Sequence, residues 1–312
     1  MATPPYFSVI IPLYNKADTV LRTLASVEAQ AFRDFEVILV DDGSTDDGVA
    51  VIRNSRFAGL CRILSQPNKG VSAARNAGAA LANGGYLCFL DADDEWLPPY
   101  LQKMFDLIRR FPGAGLYGAN YTRPGSKRYR GLRADGYCDL FREAIIKMPF
   151  HMAGVIIPKP VYLAHRGFDE RLSYYEDHHL FFRIALQHEV AVCRELLTVY
   201  HFDSKESANS KKRDFSVALY PYHFVVEKAL SDGDQRPSIQ RYARWTMRHL
   251  LAYSIRKGRR GDDRCVRQAF SRMCRCVPEL SLYRDNKAGA IFCFFVLKYF
   301  GLRFRLARLG LG

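Results

Sequence analysis

From Phe7 to Leu13 the chain reads Phe-Ser-Val-Ile-Ile-Pro-Leu, a short apolar, β-branched run that predicts a strand buried on both faces of a parallel sheet. Val20, Leu24, Val27 and Ala31 then recur at helical spacing, with Asp18 as the candidate cap. Residues 36–40 read as a second buried strand, and Asp41-Asp-Gly-Ser-Thr-Asp46 breaks the pattern to open a helix over 45–54. The alternation continues with a strand at 61–65, a helix at 72–82, a strand at 86–90 and a helix over 98–110. Leu101, Met104, Phe105 and Ile108 share one face of that last helix, and prolines stand at its first turn. Strands alternating with helices of this length predict an α/β fold with a doubly wound, mostly parallel, Rossmann-like sheet.

Residues 111–150 are less regular, rich in Gly, Arg and Tyr, with an exposed loop over 125–131. Short strands are expected near 115–122, 153–158 and 191–200, around a helix at 176–188. The polar stretch 203–213 reads as a linker. Helices follow at 215–231, 239–257, 262–277 and 288–300. The pattern divides the chain into an α/β half over 1–115, a second half of the same domain over 116–213, and a helical C-terminal extension over 214–312.

Composition narrows the class. A chain of 312 residues, 48% hydrophobic and 25% charged, is a folded protein and not a disordered, collagen-like or disulfide-scaffold one. The formal net charge of +14 suggests an anionic partner, but it is unevenly placed. Residues 241–312 carry 17 Lys and Arg against 4 Asp and Glu, while residues 1–240 carry 29 against 28. Eight dispersed cysteines, several inside apolar runs, read as reduced thiols packing as small hydrophobes, and Cys274-x-Cys276 lacks a second pair at zinc spacing. The first residues show no basic-then-apolar secretory pattern.

In an open parallel sheet, ligands bind just past the carboxyl ends of the strands. Two such ends are acidic here: Asp41-Asp42 after the second strand and Asp91-Ala-Asp93-Asp94-Glu95 after the fourth. Four acids in five residues repel one another unless a cation or donors neutralise them, and a divalent metal holding a diphosphate has this requirement. A solvated, helix-capping acidic turn is the plainer reading. No Gly-x-Gly-x-x-Gly follows the first strand, which argues against a dinucleotide-dependent oxidoreductase.

Val9-Ile-Ile-Pro-Leu-Tyr-Asn15, Val40-Asp-Asp-Gly-Ser-Thr-Asp46, Asn68-Lys-Gly-Val-Ser-Ala-Ala-Arg-Asn-Ala-Gly78 and Leu90-Asp-Ala-Asp-Asp94, in this order and spacing, resemble the successive signatures of family 2 glycosyltransferases. The resemblance covers about residues 6–200. It implies a GT-A fold, with the 1–115 half binding a nucleotide-sugar and the 116–213 half shaping the acceptor site. Carried over residue by residue, it places Pro12 at the nucleobase pocket, Asp42 on base or ribose, Arg75 near base or diphosphate, Asp91 on ribose or metal, and Asp93 on a Mn²⁺ or Mg²⁺ ion. Asp94 would support the metal from behind or cap the 98–110 helix. Tyr174-Tyr-Glu-Asp-His-His resembles the family's Glu-Asp motif, making Asp177 the base for an acceptor hydroxyl, with Glu176 beside it. His178 and His179, about 100° apart on a helix, are not taken as ligands. Where relatives carry an aromatic-Arg-x-His stretch this chain has His201, a candidate replacement donor or metal ligand.

The implied activity is an inverting transfer of a hexose or N-acetylhexosamine from a UDP-sugar to a hydroxyl of a lipid-linked or lipopolysaccharide glycan, giving a β-glycoside. A polyprenyl-phosphate sugar synthase and a non-catalytic glycan- or membrane-binding scaffold are the alternatives. The ten residues from Ala288 to Leu297 lack a polar side chain, too few to span a bilayer. With flanking arginines they suggest a segment lying at an anionic membrane surface. A buried C-terminal helix is the competing reading, and no nucleic-acid module is visible. The expected location is the cytoplasmic face of a bacterial inner membrane, or the cytoplasm.

Overall fold

The computed structural model describes residues 3–124, 134–145, 148–172, 174–201, 236–239, 241, 242 and 245. The chain divides into two compact units, Met1–Glu143 with Lys147–Ser210, and Ala144–Ile146 with Lys211–Gly312. In the second unit the described residues include short helical stretches at 237–239 and 241–242, where Tyr242 stacks on Trp245. The expected helices beyond 214, the 203–213 linker, the 125–131 loop and the apolar run at 288–297 otherwise lie outside the described residues.

The first unit opens with β1 (Phe7–Leu13), α1 (Val20–Glu28), β2 (Phe35–Asp41), α2 (Gly48–Arg53), β3 (Arg62–Ser65), α3 (Val71–Leu81) and β4 (Tyr86–Phe89). It continues with β5 (Glu95–Trp96), α4 (Tyr100–Arg110), β6 (Leu116–Thr122), β7 (Gly136–Cys138), α5 (Leu140–Ala144), β8 (Val155–Pro158), α6 (Lys159–Ala164), α7 (Glu176–Ala185) and β9 (Val190–Val199). All nine strands share one sheet in the order β3-β2-β1-β4-β8-β6-β9-β5, with β7 on β9. Strands β1 to β4 run parallel, and β6 runs parallel to β9. Between them β8 lies antiparallel to both β4 and β6. Short apolar runs carry no direction, so neither this inversion nor the two- and three-residue strands β5 and β7 is legible in the sequence.

Alternation along β1 explains the layers. Phe7, Val9, Ile11 and Leu13 join a core with Val20, Leu24 and Val27 of α1 and Leu101, Met104, Leu107 and Ile108 of α4. Each such buried aliphatic contributes about 1.5–3 kcal/mol over its exposed state. Ile10 points to the opposite face, where α3 lies so close that a Cβ on Gly78 would stand 2.5 Å from its Cγ2. The glycine ending the third motif thus permits helix-on-sheet contact. Asp18 does not cap α1, because Thr19 holds the N-cap position. Cys61, Cys88, Cys138 and Cys193 are free, in keeping with packing thiols. Among the described residues no helix is long and apolar enough to cross a membrane.

Candidate active site

The carboxyl ends of β1, β2, β4, β6 and β9 lie along one edge of the sheet, and the antiparallel β8 brings its amino end there too. Asp42, Asp91 and Asp93 follow two of these ends directly, Pro12 lies within β1 itself, and Arg75 and Asp177 are carried by α3 and α7. Pro12 is half-buried opposite Val40. At the turn beyond it, Asn15 adopts a left-handed φ of 51°, and its side-chain oxygen accepts the Thr45 and Asp46 N–H groups at 2.8 and 3.3 Å. Asp42 is buried. Its Oδ1 accepts Gln66 Nε2 at 2.8 Å and the Lys69 N–H at 2.9 Å, and its Oδ2 accepts the Gly70 N–H at 2.8 Å. Gly43 has φ +72°, and a Cβ there would meet the Asn68 nitrogen at 2.7 Å, so the Asp-Asp-Gly turn and the Asn-Lys-Gly turn are built against each other.

The loop after β4 is cradled by α1. Thr19 Oγ1 donates to the Ala92 carbonyl at 2.9 Å, Arg22 to the Asp93 carbonyl at 2.7 Å and Thr23 Oγ1 to the Asp94 carbonyl at 2.8 Å. Farther along, Ser26 Oγ accepts the Trp96 N–H, while Gln30 donates to the Leu97 carbonyl and accepts the Leu101 N–H. Gln30, not Asp94, therefore satisfies an orphan donor of the first turn of α4.

The neutralisation that four adjacent acids demand comes from the protein itself. Asp91 Oδ1 pairs with Arg75 Nη2 at 2.6 Å, and Asp93 Oδ2 with Lys16 Nζ at 2.7 Å. Glu95 pairs with His201 Nε2 at 2.6 Å and Arg22 Nε at 3.3 Å. Asp94 is buried; Oδ1 accepts the His201 N–H at 3.0 Å, and His151 Nδ1 stands 3.4 Å from Oδ2. Burial, then the charges of Asp91 and Asp93, push the Asp94 carboxyl well above the usual range. Burial acts in the same sense on Asp91, but Arg75, His151 and Lys16 outweigh it and hold that carboxyl below its ordinary value.

Arg75 joins this loop to α7. Its side chain is 4% exposed, and its Nη1 donates to Glu176 Oε1 at 2.9 Å. Burial and the neighbouring Asp177 raise the Glu176 carboxyl, against the pull of Arg75. The next residue, Asn76, accepts from the Tyr162 hydroxyl and the Phe168 N–H, so two adjacent residues of the third motif hold two segments of the second half. Asp177 lies in the first turn of α7, where its carboxylate accepts the His178 N–H at 2.7 Å and faces the positive end of the helix. Burial lowers His151 and His178 below the usual histidine range, although Asp177 favours their charged forms.

A model of the glycosyl transferase family 2 matches residues 8–161. The amylovoran biosynthesis glycosyltransferase AmsB of Erwinia amylovora is 32% identical over 227 residues, which cover 69% of this chain and 75% of that protein. The chain belongs to glycosyltransferase family 2. WfaP of Escherichia coli, a UDP-Glc:alpha-D-GlcNAc-diphosphoundecaprenol beta-1,3-glucosyltransferase, is 38% identical over 90 residues, 29% of this chain and 36% of WfaP. Among solved structures, TarS of S. aureus in complex with UDP-GlcNAc superposes with a TM-score of 0.74 at 17% identity, covering 94% of this chain and 90% of that one. The glycosyltransferase thus has the expected GT-A fold and mostly parallel sheet, in which β5, β7 and β8 are the antiparallel strands.

Within this glycosyltransferase the structure gathers Arg75, Asp91, Glu176 and His151, sets Asp93 beside Lys16 on the α1 side, and leaves Pro12 and Asp42 at the β1 and β2 ends. His201 is committed to Glu95 and Asp94. Among the described residues no three His, Cys, Asp or Glu side chains are grouped to hold a metal ion. A sugar-nucleotide metal does not need such a group, since Mg²⁺ is commonly held by one or two carboxylates plus substrate phosphates. Asp93, 23% exposed and next but one to Asp91, fits that donor set. Sequence reading missed Lys16, a lone cation after a motif, and His151, which packs against the Tyr121 and Tyr200 rings in an irregular stretch with no periodic signal.

Proposed function

We propose that the enzyme transfers a hexose or N-acetylhexosamine from a UDP-sugar to a hydroxyl of a lipid-linked or lipopolysaccharide glycan, inverting the anomeric centre to a β-glycoside. One observation carries the reading: Arg75 ties Asp91, on the donor loop, to Glu176, adjacent to Asp177 on the acceptor helix. A base held there faces the anomeric carbon from the side away from the departing diphosphate, as in-line displacement requires. The names of WfaP and of the TarS complex support a UDP donor, and that of WfaP a diphosphate-lipid acceptor and a β product.

Asp177 takes the acceptor proton as the glycosidic bond forms. Pro12 lines the nucleobase pocket. Asp42, three of whose roughly four lone-pair sites serve the loop, keeps one acceptor for the base or ribose. Asp91 meets the ribose or the metal, and Arg75, paired with it, approaches the base or the diphosphate. Asp93 holds Mn²⁺ or Mg²⁺, which when bound stabilises the charge that develops on the leaving nucleoside diphosphate. Residues 241–312, with their excess of basic residues, hold the enzyme at the anionic inner face of a bacterial membrane.

The test is a panel of UDP- and GDP-sugars incubated with Mn²⁺ and scored for release of free sugar. Hydrolysis of a UDP-sugar that is abolished by chelator and by Asp93→Asn supports the reading. A GDP-sugar preference overturns the donor assignment, and chelator-resistant turnover overturns the metal. Salt-sensitive sedimentation of the full chain with phosphatidylglycerol vesicles tests the membrane surface.

A further inference from the structure

The four acids of the 91–95 loop are not partnered alike. Asp91 faces a buried guanidinium, Asp94 is enclosed, and Glu95 shares His201 and Arg22. Asp93 instead meets an ammonium on a flexible stem; its 23% side-chain exposure is close to the 26% of Asp91 and 29% of Glu95, so the kind of cation is what sets it apart. A lysine's single point charge is exchanged more readily than the planar, two-pronged guanidinium that holds Asp91. The Lys16 backbone is fixed nonetheless. Its carbonyl accepts the Thr19 and Val20 N–H groups at 3.1 and 3.0 Å, Asn15 locks the preceding turn, and Thr19 ties that turn to Ala92. A fixed backbone carrying a long-stemmed cation next to the proposed metal carboxylate is suited to serve two anions in turn.

We propose that Lys16 is a donor-diphosphate residue that occupies Asp93 in the unliganded enzyme and passes to a phosphate oxygen when a divalent cation takes Asp93. The inference rests on the reading of Asp93 as a metal carboxylate. Ammonium and metal compete for one carboxylate while both favour the same diphosphate, so removing Lys16 has opposite effects on the two ligands. Lysine acts as a point charge for phosphate, and its displacement needs only rotation about its four-carbon stem.

The experiment measures Mn²⁺ binding without nucleotide, by electron paramagnetic resonance of the free ion, and UDP binding at saturating Mn²⁺, by calorimetry, in the wild type, Lys16→Met and Asp93→Asn. Lys16→Met is expected to bind Mn²⁺ about two- to fivefold more tightly, from loss of the competing cation. It is expected to bind UDP about tenfold more weakly, from loss of a charge-assisted hydrogen bond. If Lys16→Met does not fold, Lys16→Gln carries the same expectations. Unchanged or weaker Mn²⁺ binding, or unchanged UDP binding, in the Lys16 variant overturns the exchange while leaving the metal reading intact, provided Asp93→Asn loses Mn²⁺. Wild-type Mn²⁺ binding by Asp93→Asn overturns both.

Discussion

Arg75 Nη1 donates to Glu176 Oε1 at 2.9 Å, across 101 residues of sequence, while its Nη2 holds Asp91 at 2.6 Å. One buried cation therefore serves two carboxylates, one from each half of the fold, and the Phe168 ring lies 5.3 Å beneath it. Breaking a buried pair by removing one partner costs about 3–5 kcal/mol, because the remaining charge is left uncompensated. Arg75→Gln strands two. It is expected to lower unfolding stability by at least that amount in urea titrations and to abolish turnover, whereas Arg75→Lys recovers part of the stability but not the two-pronged geometry. An Arg75→Gln variant as stable as the wild type would show that the bridge does not join the halves.

Glu176 and Asp177 are adjacent, yet the structure gives them different tasks. Glu176 is engaged by Arg75, while the Asp177 carboxylate accepts the His178 N–H. Asp177→Asn removes the proton acceptor and is expected to lower kcat about 10²- to 10⁴-fold with UDP affinity kept within about twofold. Glu176→Gln keeps the hydrogen-bonding shape and costs about 1–3 kcal/mol of stability with a smaller loss of kcat. Equal kcat losses in the two variants would remove the distinction, and full turnover in Asp177→Asn would favour a phosphate acceptor, which needs no strong base.

Much of this was legible before the structure. The strand at 7–13 and the helix around 100–110 follow from period and β-branching, and the motifs followed one another at strand ends where ligands bind. The repulsion inherent in Asp91–Glu95 was also legible, but its partners were not, because Lys16 and Arg22, Arg75, and His201 come from three separate stretches. The polar seam of α1 was hidden for another reason. Thr19, Thr23, Ser26 and Gln30 recur at helical spacing, as the apolar stripe does, but such a pattern ordinarily marks a solvated face. Here a loop of carbonyls and amides covers it.

That seam makes a prediction about the donor loop. Gln30 is fully buried, and its amide donates to Leu97 and accepts from Leu101. Gln30→Leu leaves the buried Leu101 N–H unpaired, at about 1–3 kcal/mol, while the Leu97 carbonyl keeps the Tyr100 N–H at 3.0 Å. Thr23→Val removes the donor to the Asp94 carbonyl with little change of shape. The first variant is expected to lose about 1–3 kcal/mol in denaturant unfolding. The second is expected to raise the donor KM more than it lowers stability, because Asp94 is next to Asp93. Wild-type stability in Gln30→Leu would mean that water replaces the amide and the seam is not a constraint.

The last prediction concerns acid. Burial holds His179, on α7 two residues after Asp177, down at about 4, against an ordinary value of 6.5. Protonation is therefore disfavoured in the folded state, and between about pH 6.5 and 4 the unfolded chain binds more protons. Stability must fall as pH drops through that window, with the His179 contribution levelling off below about 4. His151, His165 and His178 are also held below their ordinary values by burial and add to the same slope. Urea unfolding at pH 7, 5.5 and 4.5 is expected to show a steady loss in the wild type and a smaller loss in His179→Leu. Parallel curves for the two proteins would mean that His179 is as readily protonated in the fold as in the open chain, and that the N-terminal part of α7, with Asp177 on it, is more open to water than its packing indicates.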